Sequence, residues 1–205
     1  MVAALAERGG RVLATDLEMG PERQEALTAK YGDRVRVRAL DVTDAAAVEA
    51  LVAETECTLG PLDIVVNVAG VLRGAEVVRL TDEDWAATFA VNASGVFHVS
   101  RSAARRMAER GGAASSPSRR TRRGALAGMS AYAASKAAAV MFTKCLGLEM
   151  AGRGVRCNTV SPGSTLTDMQ RSCGRRPAPM TSRPPRGASW KGTWRRTGPA
   201  YRSAG

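Results

Sequence analysis

The sequence predicts an α/β protein in which a doubly wound parallel sheet carries helices on both faces. Short apolar segments alternate with longer segments of helical periodicity along most of the chain. The predicted strands end at polar or glycine residues, as expected where an open parallel sheet binds a ligand. The chain has 205 residues, 44% hydrophobic and 24% charged, and this composition suits one globular domain with a sizeable core.

The first half of the chain alternates helix and strand. In order, it predicts a helix end closed by Gly9 and Gly10, a strand in RVLATD that ends at Asp16, a helix over residues 22–30, a strand over residues 35–40 and a helix over residues 44–58. Thr43 is placed to cap the last of these helices. Asp16, at a strand exit, is either a turn residue or an acid that can accept two ribose hydroxyls.

The second half repeats the pattern. In order, it predicts a buried strand in LDIVVNVAG that leaves through Asn67 and Gly70, a long helix through FAVNASGVFHVSRSAARRMAE, a helix within residues 128–147 and a strand in GVRCNTVSPG. Thr81 followed by Asp84 resembles a capping box and marks the start of the long helix.

Tyr132 and Lys136 stand four residues apart in the alanine-rich helix, so they share one face. A tyrosine that acts as a base at neutral pH needs its phenolate stabilised by about 4 kcal/mol, and an ammonium one turn away supplies part of that. The pattern alone is short, and an amphipathic helix with an incidental Tyr and Lys would look the same.

The net charge of +11 is concentrated in two segments. Residues 113–127 carry four arginines and no acid, and the tail after Gln170 carries nine basic residues and no acid. These segments are either elements that bind nucleic acid or a membrane surface, or frame-shifted translation. We favour frame-shifted translation, because residues 113–127 keep the spacing before Tyr132 that the motifs described below require. We expect no nucleic-acid or membrane partner, and a disordered Arg/Pro/Gly-rich tail over residues 171–205.

The other composition signals are negative. The four cysteines are far apart and there is a single histidine, so no metal site or disulfide framework is expected. No apolar run is long enough to span a membrane and the N-terminus has no signal-peptide pattern, which favours a cytoplasmic protein.

Several motifs in the right order resemble those of the short-chain dehydrogenase/reductase family. Tyr132 and Lys136 resemble its Y-x-x-x-K pair, and Asn92 in VNASG resembles its catalytic asparagine. The cofactor-binding motifs that are similar to the family's are Asp41-Val42 beside the adenine, the N-x-A-G turn at Asn67, Ala69 and Gly70, and the P-G-x-x-x-T segment at Pro162, Gly163 and Thr167. The resemblance implies a Rossmann-like fold over residues 1–170.

The resemblance also implies the chemistry. Tyr132 takes a proton from the substrate hydroxyl, Lys136 lowers the pKa of the tyrosine and holds the ribose, and Asn92 fixes a relay water. NAD is the expected cofactor, with Asp16 on the ribose. The family commonly forms dimers or tetramers, through the long helix and the Tyr-Lys helix.

Within the family, NVAGVLRGAE, GMSAYAASKAA and GVRCNTVSPGSTLTDMQR are most similar to the 2,3-dihydro-2,3-dihydroxybenzoate dehydrogenases of catechol siderophore biosynthesis. The implied substrate is a small dihydrodiol carboxylate, and Arg73 is our candidate for binding its carboxylate. A solvated loop arginine is the alternative for Arg73. The alternatives for the whole chain are another short-chain alcohol dehydrogenase or 3-oxoacyl reductase, or a non-catalytic remnant of the family.

Three departures from the family pattern lead us to expect an inactive polypeptide. The sequence starts inside the helix that follows the family's first strand and glycine-rich loop, so we expect a sheet truncated by one strand. Arg119 stands where the family has its catalytic serine, and Ser118 beside it would point to the opposite face. The basic tail replaces the family's C-terminal part.

Overall fold

Parallel β-strands form the framework of the protein. The computed structural model describes residues 1–111, the backbone of residues 114–119, and residues 128–161. The described residues belong to the compact unit Met1–Cys173. The second unit, Gly174–Gly205, is not among the described residues. The strands of this part of the chain are β1 Val12–Asp16, β2 Val35–Ala39, β3 Ile64–Val65, β4 Ala114–Arg119 and β5 Arg156–Val160.

Helices connect the strands. The helices described are α1 Val2–Ala6, α2 Pro21–Tyr31, α3 Ala45–Leu59, α4 Asp82–Phe89, α5 Gly95–Glu109 and α6 Ser130–Met150. Short 3₁₀ turns at Gly32–Arg34, Val77–Arg79 and Ala151–Arg153 join some of them, and a π turn at Ala90–Ser94 lies between α4 and α5.

Two parallel sheets result. β1 pairs with β2 in a register that matches Val12 with Val35 and Asp16 with Ala39. β4 lies between β3 and β5 and is parallel to both. The predicted α/β class with parallel strands is confirmed. β1 and β2 thus form one sheet and β3, β4 and β5 another, and the strand expected to be missing between β1 and β3 stays a prediction.

Two local predictions were wrong. The strand predicted in LDIVVNVAG as buried covers only Ile64–Val65, and Ile64 is 52% exposed. The helix α3 is capped by Asp44, whose carboxylate accepts hydrogen bonds from the N–H groups of Ala46 and Ala47, and not by Thr43. Thr43 instead donates to Asp41.

The long helix predicted after Thr81 is interrupted. Its predicted cap is confirmed, because the Thr81 hydroxyl accepts from the Asp84 N–H at 3.1 Å. The π turn at Ala90–Ser94 then adds an extra residue to one turn, so α4 and α5 are two helices. The π turn carries Asn92 and directly precedes Gly95.

β4 forms a strand although its sequence is polar. It contains Pro117, which has no N–H to donate, and its register against β5 shifts between Ser115 and Ser118, on either side of this proline. Arg119 is the last residue of β4 and is paired with Val160.

Helices α5 and α6 supply much of the buried core. Ala103 and Met107 of α5 cluster with Val155, which precedes β5. On α6 the buried residues recur at helical spacing, at Ala131, Ser135, Ala139, Thr143 and Leu146. Because most of these side chains are small, the helix backbones can approach closely.

Gly95 is required by close packing against the turn after β2. A Cβ built on Gly95 would stand 2.6 Å from Val42 Cγ2 and 3.1 Å from Val42 Cβ, so one of the two must move. We expect Gly95→Ala to destabilise the protein by about 1–2 kcal/mol, because overpacking outweighs the higher helix propensity of alanine.

Denaturant unfolding checks this prediction, with Gly152→Ala as the matched control. A Cβ on Gly152 would meet nothing within 4 Å. Equal unfolding midpoints for the two variants would contradict the packing argument.

Candidate active site

Tyr132 and Lys136 lie one turn apart on α6. The Lys136 Nζ is 5.7 Å from the centroid of the Tyr132 ring. Lys136 is only 5% exposed, and Tyr132 is half-buried. The structure thus brings together the pair that the sequence predicted. In general, an ammonium held next to a phenol favours the ionised form of the phenol.

Gly70 lets the backbone after β3 approach this pair. A Cβ built on Gly70 would lie 3.1 Å from Lys136 Nζ and 3.1 Å from Asn92 Oδ1. Any other residue would have to push these polar atoms away. The turn at Gly70, the π turn and α6 therefore meet where these polar atoms lie.

The Asn92 side chain is fully buried and makes three hydrogen bonds. Its Oδ1 accepts from the Val71 N–H at 2.9 Å, and its Nδ2 donates to the Val71 carbonyl at 2.9 Å and to the Ser135 hydroxyl at 3.1 Å. The Val71 N–H fixes which end of the amide is oxygen. Because both Nδ2 hydrogens are used, the expected contact of Asn92 with a relay water would involve its other polar atoms, and this role stays a prediction.

Ser135 is a site residue that the sequence analysis missed. It is fully buried, and its hydroxyl donates to the Tyr132 carbonyl at 2.9 Å while it accepts from Asn92. Its place directly before Lys136 was the only available signal. A serine inside an alanine-rich helix is ordinary, and its partner on the π turn is 43 residues away in sequence.

The N-x-A-G turn lies at the exit of β3. The Asn67 Nδ2 donates to the Ser100 hydroxyl of α5 at 2.9 Å, which ties the start of the turn to that helix. Ala69 is exposed and Gly70 is half-buried. The turn is thus held at Asn67 and, through Asn92, at Val71.

Two predicted cofactor acids lie at the carboxyl ends of β1 and β2. Asp16 ends β1, is exposed, and accepts the Leu17 N–H on Oδ1 at 2.8 Å. Asp41 accepts from the Thr43 N–H at 2.8 Å and from the Thr43 hydroxyl at 2.7 Å. These two bonds hold the pKa of the Asp41 carboxyl below its usual value, so Asp41 stays ionised and shapes its own turn.

Val42 is positioned by α5. The His98 Nδ1 lies 3.0 Å from the Val42 carbonyl oxygen, and the Val42 side chain packs on Gly95. His98 donates through Nδ1–H in this contact, since a carbonyl oxygen only accepts.

Arg73 pairs with Asp84 at the start of α4. The Arg73 Nη1 is 2.7 Å from Asp84 Oδ1, and the two side chains are 52% and 36% exposed. The neighbouring Ala75 forms a parallel bridge with Met129, three residues before Tyr132. The loop that carries Arg73 therefore borders the site. One nitrogen of the Arg73 guanidinium is already paired with Asp84.

Other predicted residues fall at the margin of the described chain. Arg119 ends β4, at the position predicted for the family's serine. Pro162, Gly163, Thr167, residues 120–127 and the tail lie outside the described residues. Within the described ranges, no cluster of His, Cys, Asp or Glu could hold a metal ion, and no helix is long and apolar enough to cross a membrane.

Comparison with known proteins gives the family. A family model described as "Enoyl-(Acyl carrier protein) reductase" matches residues 1–186. A 2,3-dihydro-2,3-dihydroxybenzoate dehydrogenase of Bacillus subtilis (strain 168) is 46% identical over 170 residues, 81% of this chain and 64% of that protein. The chain belongs to the short-chain dehydrogenase/reductase family.

Two further members of the family agree with this. The Escherichia coli (strain K12) protein named 2,3-dihydro-2,3-dihydroxybenzoate dehydrogenase is 41% identical over 174 residues, 82% of this chain and 65% of its own length. A crystal structure of a gluconate 5-dehydrogenase from Burkholderia cenocepacia J2315, in complex with NADP and tartrate, superposes with a TM-score of 0.75 at 30% identity. That match covers 83% of this chain and 68% of the other. The chain spans about two thirds of each of these proteins.

The Asn92 geometry makes a prediction about stability. Asn92→Asp keeps the size but removes both Nδ2 donors, which leaves the Val71 carbonyl and the Ser135 hydroxyl without them. We expect a loss of at least about 2 kcal/mol at neutral pH, measured by denaturant unfolding.

The pH dependence has a definite sign. Burial raises the pKa of a carboxyl at this position, so it protonates at mildly acid pH and regains one donor. The loss in free energy of unfolding of Asn92→Asp, relative to the unchanged chain, should therefore shrink as the pH falls. The surface change Asn158→Asp is the control, and a similar cost for both changes at every pH would contradict the assignment.

Proposed function

We propose that the protein is an NAD-dependent dehydrogenase that oxidises 2,3-dihydro-2,3-dihydroxybenzoate to 2,3-dihydroxybenzoate in siderophore biosynthesis. The observation that carries the proposal is the meeting of Lys136 and Asn92 at Gly70, with the Tyr132 ring beside Lys136. The names of the Bacillus subtilis and Escherichia coli relatives support the substrate.

The residues have separate roles in this mechanism. The Tyr132 phenolate removes the proton of a ring hydroxyl, while the Lys136 ammonium stabilises the phenolate and donates to the ribose hydroxyls of the cofactor. A bound NAD would supply the hydride acceptor for the carbinol carbon. Asn92 holds the Gly70–Val71 turn in place. Aromatisation of the product ring favours oxidation.

The remaining cofactor contacts follow the strand exits. Asp16 would accept the two ribose hydroxyls, Asp41 and Val42 would border the adenine, and Asn67, Ala69 and Gly70 would form the wall beside the cofactor. Pro162, Gly163 and Thr167 would bind the nicotinamide carboxamide. The open carboxylate of Asp16 and the absence of a Cβ at Gly70 fit such a ligand.

Arg73 would recognise the substrate carboxylate. Its Nη1 is engaged by Asp84, and the half-exposed guanidinium has further N–H donors for a second carboxylate.

A second candidate function is a non-catalytic member of the family. The observation that favours it is Arg119 at the end of β4, where a neutral hydroxyl would be needed beside the substrate alcohol.

The partner would be a second copy of the chain. On α6, Met141 and Leu148 are 59% and 82% exposed, and Phe97 on the adjacent α5 is 38% exposed. Burying these exposed apolar side chains would favour a homo-oligomer, a dimer or a tetramer. NAD-dependent chemistry on a small metabolite fits a cytoplasmic location.

The activity is best tested in a chimera that joins residues 1–170 to the remaining segments of the Bacillus subtilis relative and carries Arg119→Ser. We expect this chimera to form NADH from the dihydrodiol, followed by absorbance. Tyr132→Phe should lower kcat by at least about 100-fold, since it removes the base.

The matched control is Tyr31→Phe, a half-buried tyrosine on α2 that hydrogen-bonds Glu7. Undiminished turnover with Tyr132→Phe would refute the mechanism. Absence of turnover in the chimera with and without Arg119→Ser would favour the non-catalytic candidate.

The same chimera tests the cofactor. Repulsion between the Asp16 carboxylate and the 2′-phosphate of NADP should give at least a tenfold preference for NAD in kcat/KM, about 1.4 kcal/mol. Asp16→Ser should reduce the preference, whereas Asp33→Ser, at an exposed acid after α2, should not. Equal kcat/KM values for NAD and NADP in the parent would remove Asp16 from this role.

A further inference from the structure

Ser135 connects three parts of the site through one buried hydroxyl. Its single proton is used in donation to the Tyr132 carbonyl at 2.9 Å, and its oxygen accepts from Asn92 Nδ2 at 3.1 Å. Ser135 and Asn92 are both fully buried, so neither can exchange these partners for water.

The direction of this network is fixed from end to end. The Val71 N–H must donate to Asn92 Oδ1, so the amide nitrogen points toward Ser135. The serine oxygen must then accept, and its proton is left for the Tyr132 carbonyl. No alternative assignment satisfies these groups equally well, so the chain Asn92 to Ser135 to Tyr132 has one low-energy arrangement.

We propose that Ser135 is a positioning residue that clamps the Tyr132 turn of α6 to the Gly70–Val71 turn through Asn92. Lys136 follows Ser135 directly, and its Nζ lies 3.1 Å from the position that a Cβ on Gly70 would take. The clamp therefore sets how closely the ammonium stands to the cofactor-side turn. The inference rests on the proposed function, because this spacing matters for the reaction only if Tyr132 and Lys136 react.

An ordinary helix hydroxyl would behave differently. Thr143 lies on the same helix, is 4% exposed, and donates to the Ala139 carbonyl at 2.8 Å, one turn back within α6. This bond stays inside α6, whereas the bond between Ser135 and Asn92 joins α6 to the π turn. Thr143→Ala is thus the matched control for Ser135→Ala.

The first test is amide hydrogen exchange on the complete 205-residue chain. Ser135→Ala should reduce protection of the Val71 amide about tenfold relative to the Thr55 amide in α3, because the loss of one buried hydrogen bond loosens Asn92. Thr143→Ala should leave this ratio within about twofold. Ser135→Cys, which is nearly the same size but a weak donor, should fall between, and it serves if the alanine variant does not fold.

The second test uses the chimera described above. Ser135→Ala should lower kcat about tenfold and leave KM for NAD within about twofold, because the Asp16 and Asp41 turns are untouched. An unchanged ratio of Val71 to Thr55 amide protection in Ser135→Ala, or equal effects of Ser135→Ala and Thr143→Ala, would overturn the proposed role of Ser135. A chimera without turnover would count against the proposed function alone, and the exchange result would still decide the clamp.

Discussion

The amide of Asn92 is the interaction on which the candidate site depends. It exchanges two hydrogen bonds with the Val71 backbone and a third with Ser135, so it joins the turn after β3 to α5 and α6. The π turn at Ala90–Ser94 carries this residue between two regular helices. A widened turn gives up regular helix geometry, and the three buried bonds offset that cost.

The sequence predicted the local features well where a short-range signal existed. The cap at Thr81, the strand end at Asp16 and the shared face of Tyr132 and Lys136 depend on neighbours within a few residues. The cap of α3 was placed one residue early, because Asp44 and Thr43 are both good caps and only the structure shows that Thr43 is engaged by Asp41.

Features set by distant contacts could not be read from the sequence. The π turn interrupts a helix whose apolar period continues through it, and its partner Val71 is 21 residues away. β4 is a strand because β3 and β5 offer a backbone ladder on both sides, and a ladder does not require apolar side chains. The pairing of Arg73 with Asp84 joins a loop to a helix start, and either residue alone looks solvated.

Helix α5 and the π turn before it act as a common support for both ends of the proposed cofactor site. Asn92 holds the turn after β3, while Gly95 and His98 hold Val42 in the turn after β2. Asn92 and His98 are six residues apart, which corresponds to about 9 Å along a helix. Because a packed helix is much stiffer than a loop, the separation between the two turns is set by the helix and not by the turns themselves. A change that shifts α5 would therefore disturb the adenine side and the reacting side together, whereas a change at Ser135 acts on the reacting side alone.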